Sequence, residues 1–323
     1  MASEVEYSNM MKSALGNVYI SRAYKTLQKT GFRGLCKESW LFIWRNPPLS
    51  RIASTLFGEV THEKIIQSGS LGYWPQIKEP RTFNEKIAYR KLFTDKDIFS
   101  TISDKYAVRD YVREKASGDI LNDLYYVTDN PSSIPFDSLP TEFVIKSTHG
   151  SGHIMIIEDK HKWSNENIIS KCETWLETEY GENTREYWYQ DIEPRIVIER
   201  RIPSDDYISP ADFKLMVFNG DVEFIQVNTN RHSDLKERFY DSTWTPMEFT
   251  HAYEKGPVIE KPSKLDEMID VAESLGEDFD FVRVDLYQSN NKVIFGEITP
   301  APGAGHLWFT PKKYDYKLGE LWG

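Results

Sequence analysis

Cysteine is nearly absent: the 323-residue chain holds two, Cys36 and Cys172. That excludes a disulfide framework and a four-cysteine zinc site. Long hydrophobic runs are missing as well. The longest, Trp40 to Trp44, has five residues, against the roughly 18 that a membrane span needs. The first residues lack the charged, apolar and small-residue blocks of a secretory signal. A reducing, ATP-containing cytoplasm is the compartment these absences lead us to expect. Positive charge is in short supply too. Against 50 Asp and Glu there are 39 Lys and Arg, a net charge of −11, which argues against nucleic acid as a partner. No repeat or low-complexity tract interrupts the chain. What is present is ordinary for a packed globular protein, 40% hydrophobic and 28% charged residues. The length allows two compact lobes and an extension.

The charge is uneven. Residues 1–57 carry eight Lys and Arg and three Glu, a balance of +5, and the remainder carries −16. The same stretch holds Leu27, Phe32, Leu35, Trp40, Leu41, Phe42, Ile43 and Trp44. It reads either as a helical extension packed on the main body or as a basic amphipathic face near anionic lipid or glycan. Residues 10–67 suggest short helices broken at Gly31, Gly34, Pro47, Pro48 and Gly58, and the stretch Gly69 to Pro80 suggests a boundary.

Beyond that boundary, helices alternate with strands. One helix starts at Thr82 or Asn84 and runs through Lys91, and another starts near Ser103 and runs through Val112. Strands are expected at Phe143–Lys146, Ile154–Glu158, Arg195–Ile202, Asp212–Asn219 and Val222–Asn228. Ser164 caps a helix through Leu176, and Asp266–Leu275 has helical spacing. Two last strands, Phe281–Tyr287 and Val293–Thr299, end the expected core. This mixture indicates an α+β or mixed α/β protein.

The sharpest local signal is Arg283-Val-Asp285 followed by Glu297-Ile-Thr299. Val282, Val284 and Leu286 alternate with Arg283, Asp285 and Tyr287, so one face is apolar and the other carries chemistry. A three-residue loop, Asn290 to Lys292, would pair Ser289 with Val293 and set Asp285 across from Glu297. A slip of one residue would part them. Directly opposed carboxylates need a cation or a raised pKa, and such an oxygen site suits Mg²⁺ together with substrate phosphates. The plain alternative is an edge hairpin with solvated acids. Against it stands the loop Thr299-Pro-Ala-Pro-Gly-Ala-Gly305, which begins where the carboxylate strand ends. A second signal is Lys146, at the end of the apolar strand Phe143-Val-Ile, where a lysine calls for an anionic partner. The loop after it, His149-Gly-Ser-Gly-His153, offers backbone N–H groups to phosphate oxygens. It is neither a Walker loop nor a dinucleotide fingerprint. His149 and His153 read as structural or solvent-facing rather than as metal ligands, because no companion Cys/His set accompanies them.

The order Asp104-Lys105, Phe143-Val-Ile-Lys146 with its glycine loop, Ile196-Val-Ile-Glu199, Asp212-Phe-Lys214, Arg283-Val-Asp285 and Glu297-Ile-Thr299 with Pro302-Gly303 resembles the ATP-grasp superfamily. The wider set Arg81-Thr-Phe-Asn-Glu-Lys86, Asp104-Lys-Tyr-Ala-Val-Arg109, His149-Gly-Ser-Gly152 and Phe281-Val-Arg-Val-Asp-Leu286 resembles its TupA-like family, over about residues 70–320. The resemblance implies an α+β ATP-grasp fold in which two α+β lobes grip ATP between them, with an N-terminal helical extension. The blocks would be residues 1–78, the extension; 79–199, the N-terminal lobe with a glycine lid; and 200–323, the C-terminal lobe with a Mg-binding hairpin.

By the same resemblance, Lys105 and Lys146 hold phosphates of ATP, and Gly150, Ser151 and Gly152 form the lid. Glu199 takes the adenine amino group, with the backbone of Arg200 and Ile202. Asp212 holds the ribose, with Asp205 and Asp206 as rivals. Asp285 and Glu297 hold magnesium, with Thr299 standing where many members have Asn. Arg283 stabilises the acyl intermediates, Lys214 or Arg231 meets the γ-phosphate, and Pro302, Gly303 and Gly305 belong to a substrate loop. The implied activity is a carboxylate–amine ligase using ATP and Mg²⁺. Its substrates would be a uronic acid or other carboxylated glycan precursor and an amine, in bacterial surface polysaccharide synthesis. Contact with the inner face of the membrane, or with a glycan-assembly complex, is the role expected of the basic extension. The alternatives are a kinase acting on a hydroxyl and a non-catalytic nucleotide-binding subunit.

Overall fold

The computed structural model describes residues 39–40, 42–45, 49–94, 97–203, 211–229, 235–251 and 253–323. The chain forms two units, Met1–Pro75 and Gln76–Gly323. In the first, helix α1 (Leu49–Phe57) turns through Gly58, at φ 76°, into α2 (Glu59–Leu71). His62 is buried between the two helices: its Nδ1 lies 2.8 Å from Ser54 Oγ, and its Nε2 lies 2.8 Å from Trp44 O. Trp40 Nε1 donates to Ile65 O at 2.9 Å.

The second unit is built on two sheets. Its first helix, α3 (Phe83–Phe93), has Thr82 as N-cap, and Thr82 and Glu85 cap each other reciprocally. Then come α4 (Ile98–Ser103) and α5 (Val108–Lys115). The sequence suggested a helix from near Ser103 through Val112 and did not foresee α4. Asp104 interrupts the expected helix, because its Oδ1 accepts from Tyr106 N at 2.7 Å and Ala107 N at 3.2 Å, a local turn that competes with the helix. Lys105 therefore sits in a non-helical link.

The smaller sheet is antiparallel, in the order β1 (Leu124–Thr128), β4 (Ile196–Glu199), β2 (Phe143–Ser147), β3 (Ile154–Ile157). Helix α6 (Asn165–Leu176), capped by Ser164, packs Ile168, Cys172 and Trp175 against Phe143, Ile145, Ile196 and Ile198. The larger sheet is made of β5 (Asp212–Phe218), β6 (Asp221–Thr229), β7 (Lys236–Asp241), β8 (Glu254–Lys255), β9 (Phe281–Ser289) and β10 (Lys292–Thr299). Its order is β10-β9-β5-β6-β7-β8. Helix α7 (Leu265–Gly276) packs on its apolar face through Leu265, Met268, Ala272 and Leu275.

Three strands were not foreseen: β1, β7 and β8. Nor was helix α8 (Lys313–Leu321), which continues the fold past the carboxylate strand. Two hydrophobic clusters fill the second unit. Phe83, Ile87, Phe99 and Val112 belong to the core of the large sheet, and the small sheet keeps a separate core made of residues between 134 and 198. Arg90 ties the helices to that large core. Its buried Nη1 donates to Phe281 O at 2.8 Å and Pro300 O at 2.7 Å, bridging the start of β9 and the end of β10.

Candidate nucleotide and metal site

The β9–β10 hairpin places its acids by a route the sequence did not reveal. Ser289 pairs with Lys292, not Val293, across a tight turn whose residues Asn290 and Asn291 have φ of 50° and 57°. Unbroken pairing from that turn would set Asp285 against Gly296. A bulge between Phe295 and Glu297 adds the missing residue, and Glu297 comes to lie opposite Asp285. Gly296 is needed there: a Cβ would stand 2.8 Å from Asp285 O and 2.9 Å from the Tyr287 ring. The expected loop is thus corrected, while the expected juxtaposition is present.

Cations interlock these acids. Arg283 Nε lies 2.6 Å from Asp285 Oδ1, and its Nη2 reaches Asp285 Oδ2 and Glu297 Oε1, each at 2.8 Å. The same Nη2 donates to Thr299 Oγ1 at 3.1 Å. Lys214, directly across from Asp285 on β5, contacts Asp285 and lies 2.8 Å from Asp212. Burial lifts the Asp285 carboxyl above its ordinary range, and the nearby Glu297 and Asp212 charges add to this, while Arg283 and Lys214 pull it back. For Arg283, burial opposes the charge, but Asp285 and Glu297 outweigh burial and raise its pKa. Arg283 remains a guanidinium. The donor set of two carboxylates and a hydroxyl is hard and oxygen-only. Among the described residues no group of three or more His, Cys, Asp and Glu is gathered for a metal. Two carboxylates and a hydroxyl are donors that suit Mg²⁺, which takes one or two carboxylates and completes its shell with phosphate oxygens and water.

The small sheet supplies the other groups. Lys146 Nζ lies 2.8 Å from Glu199 Oε2, and Arg109 Nη1 lies 3.3 Å from Glu199 Oε1. Glu199 is thus held between two cations. Lys105 Nζ donates to Gly150 O, joining the link after α4 to the glycine loop. Burial pushes the Lys105 ammonium down to about 8; Lys146 lowers it further, and Glu297 acts to raise it. Lys105 therefore feels both walls, the lysine of the small sheet and the acid of the large one.

In the loop itself, Gly152 has φ 81°. His149 Nε2 meets Trp175 O at 3.1 Å, and the His153 ring stacks on Trp175 at 5.5 Å. Burial lowers the pKa of both histidines, as expected of groups packed into structure.

Other expected residues fall as follows. Arg200 has its backbone engaged: its N–H donates to Asp123 O at 2.9 Å, and its carbonyl accepts from Asn122 Nδ2 at 2.8 Å. Ile202 is half-buried just beyond. Arg231, Asp205 and Asp206 lie outside the described residues. Pro302 and Gly305 are buried in a short turn where Gly303, Ala304 and Gly305 have φ of 58°, 52° and 76°. At Gly303 a Cβ would fall 2.4 Å from the Leu307 side chain.

Sequence reasoning assigned no role to several groups. Arg109 was quoted as part of a motif, but not as a partner of Glu199. Asn84 grips the loop after β10: its Nδ2 donates to Leu307 O at 2.9 Å, and its Oδ1 accepts from Leu307 N at 2.8 Å. Gln226 and Asn228 extend the polar face, opposite Lys214 and Asp212 respectively, and both are buried. The alternation Gln226-Val-Asn228 at the end of the strand, after the apolar Phe224-Ile225, was the available signal.

Asp285 and Glu297 on the large sheet, Lys146 on the small sheet and Lys105 in the link after α4 are the groups expected of the ATP-grasp class, which grips a nucleotide between two sheets. The family described as TupA-like ATPgrasp matches residues 85–322, and the chain belongs to that family. A search of curated proteins returns no match. Solved structures with a similar fold include D-alanine–D-alanine ligase from Bacillus anthracis complexed with ATP. It is 16% identical with a TM-score of 0.39, over 64% of this chain and 58% of that one. The L-amino acid ligase from Bacillus licheniformis is 13% identical with a TM-score of 0.43, over 69% and 49%. The ATP-grasp ligase PsnB, complexed with a phosphomimetic variant of a minimal precursor, Mg and ADP, is 12% identical with a TM-score of 0.37, over 85% and 71%. The match spans less than two thirds of the D-alanine–D-alanine ligase, at 58% of its length.

Proposed function

We propose that this chain is an ATP-dependent ligase that joins a carboxylate to an amine through an acyl phosphate. The observation that carries the reading is the row Lys214–Asp285–Glu297, cross-linked by Arg283. In the first step, a carboxylate oxygen of the substrate attacks the γ-phosphorus of ATP and ADP leaves. In the second, an amine attacks the acyl carbon, the amine loses a proton and phosphate leaves. Asp285, Glu297 and Thr299 would hold Mg²⁺, which when bound neutralises charge on the β- and γ-phosphates. Lys105 and Lys146 bind phosphate oxygens, and Lys146 does so by exchanging part of its pairing with Glu199. Glu199, steadied by Arg109, and the backbone at Ile202 meet the adenine, and Asp212 meets the ribose. Arg283 is held by its Nε and Nη2 contacts to the acids, so its Nη1 is the donor that stabilises the oxyanion at the acyl carbon. Gly150, Ser151 and Gly152 close over the phosphates and keep water from the acyl phosphate. Pro302, Gly303 and Gly305 shape the substrate side.

The resemblance to proteins of surface polysaccharide synthesis points to a uronic acid or related carboxylated glycan precursor as the acid. The test is an ADP-release screen with Mg-ATP, pairing uronic acids and their nucleotide sugars with amino acids and amino sugars. Hydroxylamine is added to trap the intermediate. A hydroxamate that forms only with ATP and the acid supports the ligase. ADP release with a stable phosphate ester and no hydroxamate would make the chain a kinase.

A further inference from the structure

The first unit carries an apolar surface that the nucleotide site does not use. On α1, Leu49, Ile52 and Leu56 are three, four and seven residues apart and share one side of the helix. They are 51%, 51% and 71% exposed, and Phe57 at the helix end is 52% exposed. Phe42 and Ile43, just upstream, are also about half exposed, at 49% and 46%. On the side that meets α2, Ser54 reaches the buried His62. A soluble surface scatters its large apolar residues, so a clustered set of this kind marks a contact.

Charge selects the occupant. Residues 39–57 contain Arg45 and Arg51 and no acid, residues 1–57 together carry +5, and the rest of the chain carries −16. A protein partner could match apolar residues without such segregation. An anionic bilayer matches both features, because apolar side chains enter the headgroup boundary while the basic segment answers the lipid charge. The described residues contain no helix long and apolar enough to cross a membrane, which fits attachment in the plane of the interface.

We propose that this face is a docking surface for an anionic lipid bilayer, holding the chain peripherally with α1 in the interface. The proposal does not depend on the ligase reading, since its readout is vesicle binding and not turnover. The experiment is co-sedimentation of the full chain with vesicles of phosphatidylcholine alone and of phosphatidylcholine with phosphatidylglycerol at about 3:1, repeated in about 0.5 M salt to screen charge. The wild-type chain should pellet with the anionic vesicles and largely stay in solution with the neutral ones, and salt should weaken the binding. The double variant Ile52→Asp/Leu56→Asp should lose at least tenfold in vesicle affinity, and the milder Leu56→Asn should lose less. Unchanged thermal unfolding and ADP binding in both variants show that the fold is retained. Failure of the wild-type chain to pellet with anionic vesicles overturns the proposal, as does equal binding by the folded variants. So does a wild-type dimer that these substitutions dissociate, with no vesicle binding, because the face would then serve self-association.

Discussion

Two hairpins supply most of the candidate site, and they are built in opposite ways. The β9–β10 hairpin turns on two asparagines, and its chemistry is locked by a guanidinium that touches Asp285, Glu297 and Thr299 at once. Asp285 is almost wholly buried, with 3% of its side chain exposed. The β2–β3 hairpin instead carries a longer loop, with Ser151 and Gly152 exposed and the Lys146 side chain 25% exposed. Charge is preorganised on the first and presented on the second. A metal–phosphate site needs fixed acids, whereas a cover over a substrate must admit it and then close. The same antiparallel motif takes both forms because the bulge at Gly296 tightens one hairpin, while the other carries a glycine-containing loop.

The strongest test of this contrast is turnover. Glu297→Ala and Lys146→Ala should each cut ATP turnover by about 1000-fold or more, in line with losing a group that neutralises transferring phosphate. Their unfolding transitions should stay near wild type, since Glu297 is half exposed and Glu199 keeps Arg109. Full activity in either variant contradicts the assignment. Asp285→Ala should behave differently and cost about 3 kcal/mol of stability in denaturant unfolding, because it leaves Arg283 and Lys214 buried beside fewer anions. A loss below about 0.5 kcal/mol would mean that the interlock does not hold the hairpin.

Next in size is a pH effect. With its ammonium pushed down to about 8, Lys105 is charged at pH 7 and mostly neutral at pH 9. Nucleotide affinity should therefore fall as pH rises through 8, by about tenfold between these values. Lys105→Arg should remove the dependence, as read by calorimetry. The smallest effect belongs to the exposed loop. Gly152→Ala, at a positive φ, should strain the turn by about 1 kcal/mol and slow turnover about fivefold. Its effect on metal affinity should be negligible.

The fold was legible where local pattern and tertiary role coincide. Val282, Val284 and Leu286 declared the apolar face of β9, and Thr82 or Asn84 as N-cap candidates declared a helix start, which the structure places at Thr82. The turn was not legible, since Asn290-Asn-Lys292 tolerates either loop length, and only Gly296 hinted at the bulge that restores the pairing. Asp104 broke a periodic helix through two local hydrogen bonds, an effect that helical spacing does not register. Strand β7 hid behind its charges, because Lys236, Glu237 and Arg238 precede the buried Phe239 and Tyr240. Asn84 could not be assigned a partner at all, since Leu307 lies 223 positions away. Local rules recover alternation, caps and turns, whereas the groups that join distant segments, Arg90, Asn84 and Arg109, emerge only once the chain is folded.

The claim at the centre is that Asp285 and Glu297 together grip a divalent ion on a nucleotide. It is tested by calorimetric titration of ADP into the wild-type chain and into Glu297→Gln, each with Mg²⁺ and with Mg²⁺ chelated. Chelation should weaken wild-type binding at least tenfold and leave the variant's already weaker affinity nearly unchanged. Equal magnesium dependence in both proteins would contradict the account.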